Sequence, residues 1–184
     1  MRQKKYQIKS KAEIEKILQA NRVGRLATNG SDGYPYITPL NYIYSDGVIY
    51  LHCAREGERI NNIKRDNKVC FEVDEPVAYI DTGFSPEKSA CSVTQLYRSV
   101  IIRGKAALVD DINEKVDALN KLIAVHEGID VFCEITPDIK AVKACAVIRI
   151  TIDSMTGKQN IGGNRPSSFA EDVVKYKPEL AEFF

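Results

Sequence analysis

Tyr36-Ile37-Thr38-Pro39-Leu40-Asn41-Tyr42 is the stretch on which the fold turns, because it leads through Asp46-Gly47 into Leu51-His52-Cys53-Ala54. An Asp-Gly pair accepts positive φ at little cost and is a strong two-residue hairpin signal. A strand is therefore expected over residues 34–44, with its return over 48–53. Counting across the turn places Ser45 opposite Val48, Ile43 opposite Tyr50 and Asn41 opposite His52. Successive side chains alternate between faces, so Pro39, Asn41, Ile43, Tyr50 and His52 share one side. Leu40, Tyr42, Tyr44, Ile49, Leu51 and Cys53 share the other, which is the natural core. The first side sets an amide beside an imidazole, an unusual use of a strand unless something polar rests on it.

Outward from the hairpin, Ser10-Lys11-Ala12-Glu13 reads as a capping box opening a short helix with Ile14, Ile17 and Leu18 on its apolar face. A strand over residues 23–28 ends at the turn Asn29-Gly30-Ser31-Asp32-Gly33. Beyond the hairpin, Ile60 and Ile63 suit a helix beginning near Glu56 and ended by Asp66-Asn67. Val69, Phe71 and Val73 alternate as a half-buried strand, and residues 74–88, with two prolines and a glycine, read as an irregular excursion. A long strand over residues 92–109 is expected to bend or bulge near Gly104. Asp111 is placed to cap a helix carrying Val116, Leu119, Leu122 and Ile123, and a last strand is expected over residues 141–152. About six strands, joined by tight turns and interrupted by helices at irregular spacing, do not fit parallel β-α-β units. A mainly β fold with helices, a small antiparallel barrel, is the expectation.

Hydrophobic residues at 44% and charged residues at 28% describe an ordinary globular composition. The net charge of +1, from 26 basic and 25 acidic residues, argues against nucleic-acid binding, which calls for a basic face. No apolar run approaches the length of a membrane span. Met1-Arg2-Gln3-Lys4-Lys5 leads into Tyr6-Gln7-Ile8-Lys9 rather than an apolar core, so no signal peptide and a cytoplasmic setting are expected. Five cysteines, at 53, 70, 91, 133 and 145, include no C-x-x-C pair, and neither a metal site nor a redox dithiol is supported. Cys53, Cys70 and Cys145 read as small buried hydrophobes.

Arg55, Arg59 and Lys64 flank the helix near Glu56, where free backbone N–H groups favour an anion. Gly57 admits close approach of a ligand, and an arginine grips phosphate through two parallel bonds, which favours Arg59. The same residues also read as a solvent-facing ion-pair cluster. Tyr97-Arg98-Ser99 forms a second polar patch in apolar β sequence, open to the same two readings. His126, just before Gly128, reads as a helix-end residue.

The segments at 23–28, 33–42, 49–52, Gly57, 60–64 and 69–73, with weaker support at 97–100 and 104–106, resemble the pyridoxamine 5′-phosphate oxidase-like flavin-binding split-barrel superfamily. Within it they are most similar to the nitroimidazole-resistance related flavoproteins. The resemblance implies an antiparallel six-stranded split β-barrel over residues 1–157, with 158–184 an extension packing on the barrel or on a dimer partner. It implies a homodimer with FMN in clefts between subunits. Thr38, Pro39, Leu40 and Asn41 would run beside the flavin, and His52, Cys53 and Ala54 would follow its ring or ribityl chain. Gly57 and Arg59 would lie near the phosphate, and Tyr97, Arg98 and Ser99 would complete the site. Related members often carry a basic residue after Gly57, where this chain has Glu58. The implied activity is two-electron reduction of a nitroaromatic or other small organic acceptor, recharged by a reduced nicotinamide, with His52 as proton donor. Alternatives are a flavin-binding electron-exchange protein without turnover, a protein-binding module without a cofactor, a pyridoxamine 5′-phosphate oxidase proper and a haem-handling protein.

Overall fold

The Asp46-Gly47 turn forms as its chemistry demands, with φ of 53° and 81° at its two residues. In this computed structural model, which describes residues 4–128, 132–161 and 168–184, the flanking strands are β3 (Pro35–Ser45) and β4 (Val48–Ala54). Their register is Ser45↔Val48, Tyr44↔Ile49, Ile43↔Tyr50 and Tyr42↔Leu51, as counted from the turn. The ladder stops there, one pair short of Asn41 and His52. Asn41 pairs instead with Val23 of β2 (Val23–Asn29), and His52 with Val147 of β7 (Cys145–Asn160).

The remaining strands are β1 (Gln7–Ile8), β5 (Lys68–Ile80) and β6 (Thr94–Leu108). The sheet order is β1-β7-β4-β3-β2-β5-β6, and β7 also pairs with β6. Six strands thus form a ring of hydrogen-bonded neighbours, but the ring is not a closed barrel. Seven strands are accompanied, among the described residues, by five α-helices and four 3-10 turns. The expected mainly β, six-stranded barrel is therefore replaced by a mixed α/β arrangement. The β2–β5 ladder, joined at Arg25↔Glu72, Leu26↔Phe71 and Ala27↔Cys70, is short beside the seven pairs that join β2 to β3.

Two further expectations change. β5 continues through Pro76, which lies exposed where a strand tolerates a missing N–H, and the irregular stretch begins only at Asp81. Residues 140–144 form a helical turn, α4 (Lys140–Ala144), and β7 starts at Cys145. The helices α1 (Lys11–Ala20), α2 (Glu58–Arg65), α3 (Ile112–Glu127) and α5 (Phe169–Tyr176) complete the set. Ser10 Oγ accepts from Glu13 N at 3.4 Å, and Asp111 Oδ1 accepts from Asn113 N and Glu114 N at 2.9 and 2.8 Å. The glycine-rich run after Ile161, within the extension expected over residues 158–184, lies outside the described residues.

The chain divides into two units, a larger one of Leu18–Val73 and Ile101–Met155 and a smaller one of Met1–Ile17, Asp74–Val100 and Thr156–Phe184. In the larger, Leu26, Tyr42, Ile49, Leu51, Phe71, Ile102, Ile148 and Ile150 are fully buried, each aliphatic side chain contributing about 1.5–3 kcal/mol. Tyr42 and Phe71 meet edge to face at 5.0 Å, and Tyr42 donates its hydroxyl to Leu18 O at 2.6 Å. In the smaller unit, Ile80, Leu96, Phe169, Val173 and Leu180 form a core of their own.

Candidate functional site

α2 is built to hold one arginine in place. Gly57 precedes it at φ 122°, a conformation that favours glycine, and supplies no side-chain cap to the first-turn N–H groups. Ile60 and Ile63 turn inward. Between them Asn62, 1% exposed, donates Nδ2 to Thr28 Oγ1 at 3.1 Å, and Thr28 is itself buried on β2. Arg65 donates to Asn62 Oδ1 at 3.2 Å and to the Asn29 carbonyl, while Asn29 Nδ2 donates to Asp66 Oδ2 at 2.7 Å. These bonds fix the middle and the far end of the helix against β2, leaving the Gly57 end to face whatever approaches.

On that fixed helix Arg59 is half-buried. Its Nη1 donates to Thr38 Oγ1 at 2.8 Å. Its Nε is buried and finds no hydrogen-bond acceptor. Arg59 also lies against Cys53: burial pushes that thiol above its ordinary value, and the guanidinium beside it pulls the other way. Thr38, expected beside the flavin, Cys53, expected along its ring or ribityl chain, and Arg59, expected near the phosphate, are thus brought together. An unpaired buried guanidinium N–H is costly, about 1–3 kcal/mol or more for a charged group, and an incoming acceptor relieves it. Around Gly57 a Cβ would meet nothing within 4 Å, so the backbone there is open to close approach. A cationic fork with an unused donor beside open backbone fits a phosphate-terminated ligand such as FMN.

The other expected residues are placed as follows. Leu40 is half-buried, and Pro39, Asn41, His52, Ala54 and Gly57 are exposed. The strand side counted as polar is not wholly free, because α3 packs on β3 and β4. Ile43 is buried, and Tyr50 donates its hydroxyl to Glu114 Oε1 at 2.9 Å, an oxygen that also accepts from Arg149 Nη1 at 2.9 Å. Helix covers that half of the face, so a flat ring has no room over Ile43 and Tyr50.

Tyr97, Arg98 and Ser99 sit half-buried on β6 in the smaller unit. Arg98 pairs with Glu75 at 3.5 Å and lies over the Phe183 ring at 5.2 Å, while Lys158 lies over the Tyr97 ring at 5.2 Å. Arg98 is therefore an ion-paired residue of that unit. His126 occupies the last turn of α3 before Gly128. Cys53, Cys70 and Cys145 are free thiols, each half-buried rather than buried. No helix is long and apolar enough to cross a membrane among the described residues.

Sequence reasoning missed Asn62 and Thr28. The one signal available was a polar residue sitting between two inward-facing isoleucines on a short helix.

The family model described as pyridoxamine 5′-phosphate oxidase matches residues 10–159. Among solved structures, the chain is 29% identical to a candidate 5-nitroimidazole antibiotic resistance protein from Bacteroides thetaiotaomicron, with a TM-score of 0.70 over 83% of this chain and 86% of that one. It is 27% identical to an FAD-binding protein from Mesorhizobium loti, with a TM-score of 0.57 over 82% and 95% of the two chains. A flavocytochrome from Azotobacter vinelandii, 20% identical with a TM-score of 0.72 over 92% and 75%, shares the fold. No curated protein matches the sequence.

Proposed function

We propose, for a chain that belongs to the pyridoxamine 5′-phosphate oxidase family, that it binds FMN and reduces a small organic acceptor of the nitroaromatic class. The observation that carries this reading is the buried Arg59 Nε without an acceptor, beside a guanidinium nitrogen already anchored on Thr38. When bound, FMN supplies the two-electron chemistry.

Arg59 holds the phosphate, and Gly57 lets it approach the N–H groups that open α2. Thr38 orients the guanidinium rather than touching the ligand's charge. Pro39, Leu40 and Asn41 on β3, with His52, Cys53 and Ala54 on β4, border the rest of the cofactor. Tyr97, Arg98 and Ser99 come from the second subunit of a homodimer. His52, exposed on β4, delivers a proton to the acceptor. The nitroaromatic acceptor rests on the likeness to the Bacteroides protein.

The test is anaerobic. FMN-loaded protein is mixed with a reduced nicotinamide dinucleotide and then with a 5-nitroimidazole. Bleaching of the flavin band by the donor, then its return on adding the acceptor, is expected, with the six electrons of each amine formed drawn from three successive two-electron reoxidations, each recharged by the reduced nicotinamide. A band that bleaches but does not return with the acceptor leaves an electron-exchange protein instead.

A further inference from the structure

The larger unit contains a cavity of about 310 Å³ whose lining includes Arg55, Lys64, Lys115 and Lys143, against one carboxylate, Asp110. The three lysines come from three different helices, α2, α3 and α4, and Arg55 from the segment after β4. None of the four takes part in an ion pair among the described residues. Arg55 Nη1 donates to Lys143 O at 3.0 Å. Lys115, only 9% exposed, donates Nζ to Cys145 O at 2.6 Å, which engages one of its three N–H groups.

Four cations line one small space with a single carboxylate among them, and the nearly buried Lys115 ammonium has one carbonyl partner. A bound anion would offset the repulsion among these like charges and take up the spare donors. We propose that this cavity binds a compact phosphate dianion, such as the head of a phosphate monoester. A tetrahedral phosphate offers oxygens in several directions, matching donors that arrive from three helices, whereas a planar carboxylate offers two in one plane. The volume sits at the small end of ligand sites, about 300–1,000 Å³, and suits a single phosphorylated group rather than a dinucleotide. Neither Arg59, Thr38 nor Cys53 lines it, so the site is separate from the proposed FMN phosphate grip.

Inorganic phosphate is titrated into the parent protein, an Arg59→Ala variant and a Lys64→Gln/Lys143→Gln variant, followed by calorimetry and phosphorus NMR. Saturable binding of one phosphate per chain is expected in the FMN-loaded parent, where the Arg59 grip is filled, and in Arg59→Ala, where it is removed. The double variant should bind about tenfold more weakly or worse, with an unchanged melting curve. Should the double variant melt early, Arg55→Gln, an exposed position, carries the same expectation. Malonate at equal ionic strength should bind at least about tenfold more weakly than phosphate. Absence of saturable binding, binding lost in Arg59→Ala alone, or undiminished binding in a cavity variant overturns the site. Malonate binding as tightly as phosphate overturns its assignment to phosphate.

Discussion

Arg59 Nη1 donates to Thr38 Oγ1 at 2.8 Å while the buried Nε of the same guanidinium has no acceptor. Thr38 fixes the plane of the fork and leaves donors to spare. Removing the fork should weaken FMN by about 1.5–3 kcal/mol, roughly ten- to a hundred-fold in Kd, in an Arg59→Ala variant. Arg59→Lys should recover only part of this, because an ammonium cannot form two parallel bonds. Flavin fluorescence titration reads both, and equal affinity in Arg59→Ala and the parent removes the arginine from the site.

Cys53 reports on the same guanidinium. Burial raises the thiol and Arg59 lowers it, so Arg59→Ala should move its ionisation further upward. At a fixed mildly alkaline pH, alkylation of Cys53 should then slow relative to the parent. Peptide mass spectrometry separates it from the exposed Cys91 and Cys133. Faster alkylation in the variant would show that access, not charge, controls this thiol.

Burial pushes the Tyr42 phenol well above its usual value, with Arg22 offsetting only part of the shift. The fold therefore holds the neutral form. Its contribution is complete below about pH 10, where the unfolded phenol is also neutral, and is lost as pH rises through the folded value. Denaturation curves should show stability falling above about pH 10. Tyr42→Phe should flatten that fall and cost about 0.5–1.5 kcal/mol near neutrality, from the lost bond to Leu18 O.

Gly24 leaves no space for a methyl group: a Cβ there would stand 2.1 Å from Phe71 Cζ. Phe71 is fully buried and cannot swing aside. Gly24→Ala should destabilise by about 1–3 kcal/mol, which in a chain of this length lowers Tm by about 2–4 °C per kcal/mol. Calorimetry with an unchanged Tm would mean that the β2–β5 region yields more easily than its packing implies.

His52→Gln should leave FMN affinity within about threefold, since the proposed phosphate grip lies elsewhere, while slowing nitroimidazole reduction. Flavin titration and stopped-flow mixing separate the two effects. A variant with the parent's rate sets His52 aside as a proton donor.

The parts of the fold legible in the sequence are those fixed by neighbouring residues. Asp46-Gly47 set a register that Ile43↔Tyr50 reproduces, and Ser10 and Asp111 cap the helices they precede. Alternation failed where short apolar runs serve helix and strand alike: Val142 and Ala144 lie in α4. Pro76 was read as a break because a missing N–H matters only where a neighbour needs it, and that is a property of the sheet. The barrel expectation failed for the same reason, since pairing between strands remote in sequence leaves no local mark. At the site, Arg59 was legible from its charge and its glycine neighbour. Asn62 and Thr28, which hold the helix that carries it, were not, since nothing in either residue's surroundings in sequence announces the other. Nor was the covering of Tyr50 by α3, which depends on a contact between residues 64 positions apart.

The Asn62–Thr28 bond has one more effect. A helix of eight residues, held by two isoleucines alone, would be free to roll on an apolar surface that does not care about small rotations. A polar pin through its middle forbids the roll, because any turn leaves an amide and a hydroxyl stranded in hydrocarbon. The arginine's bearing is thereby set by the helix itself, and a ligand of the proposed kind would meet a fork already aimed.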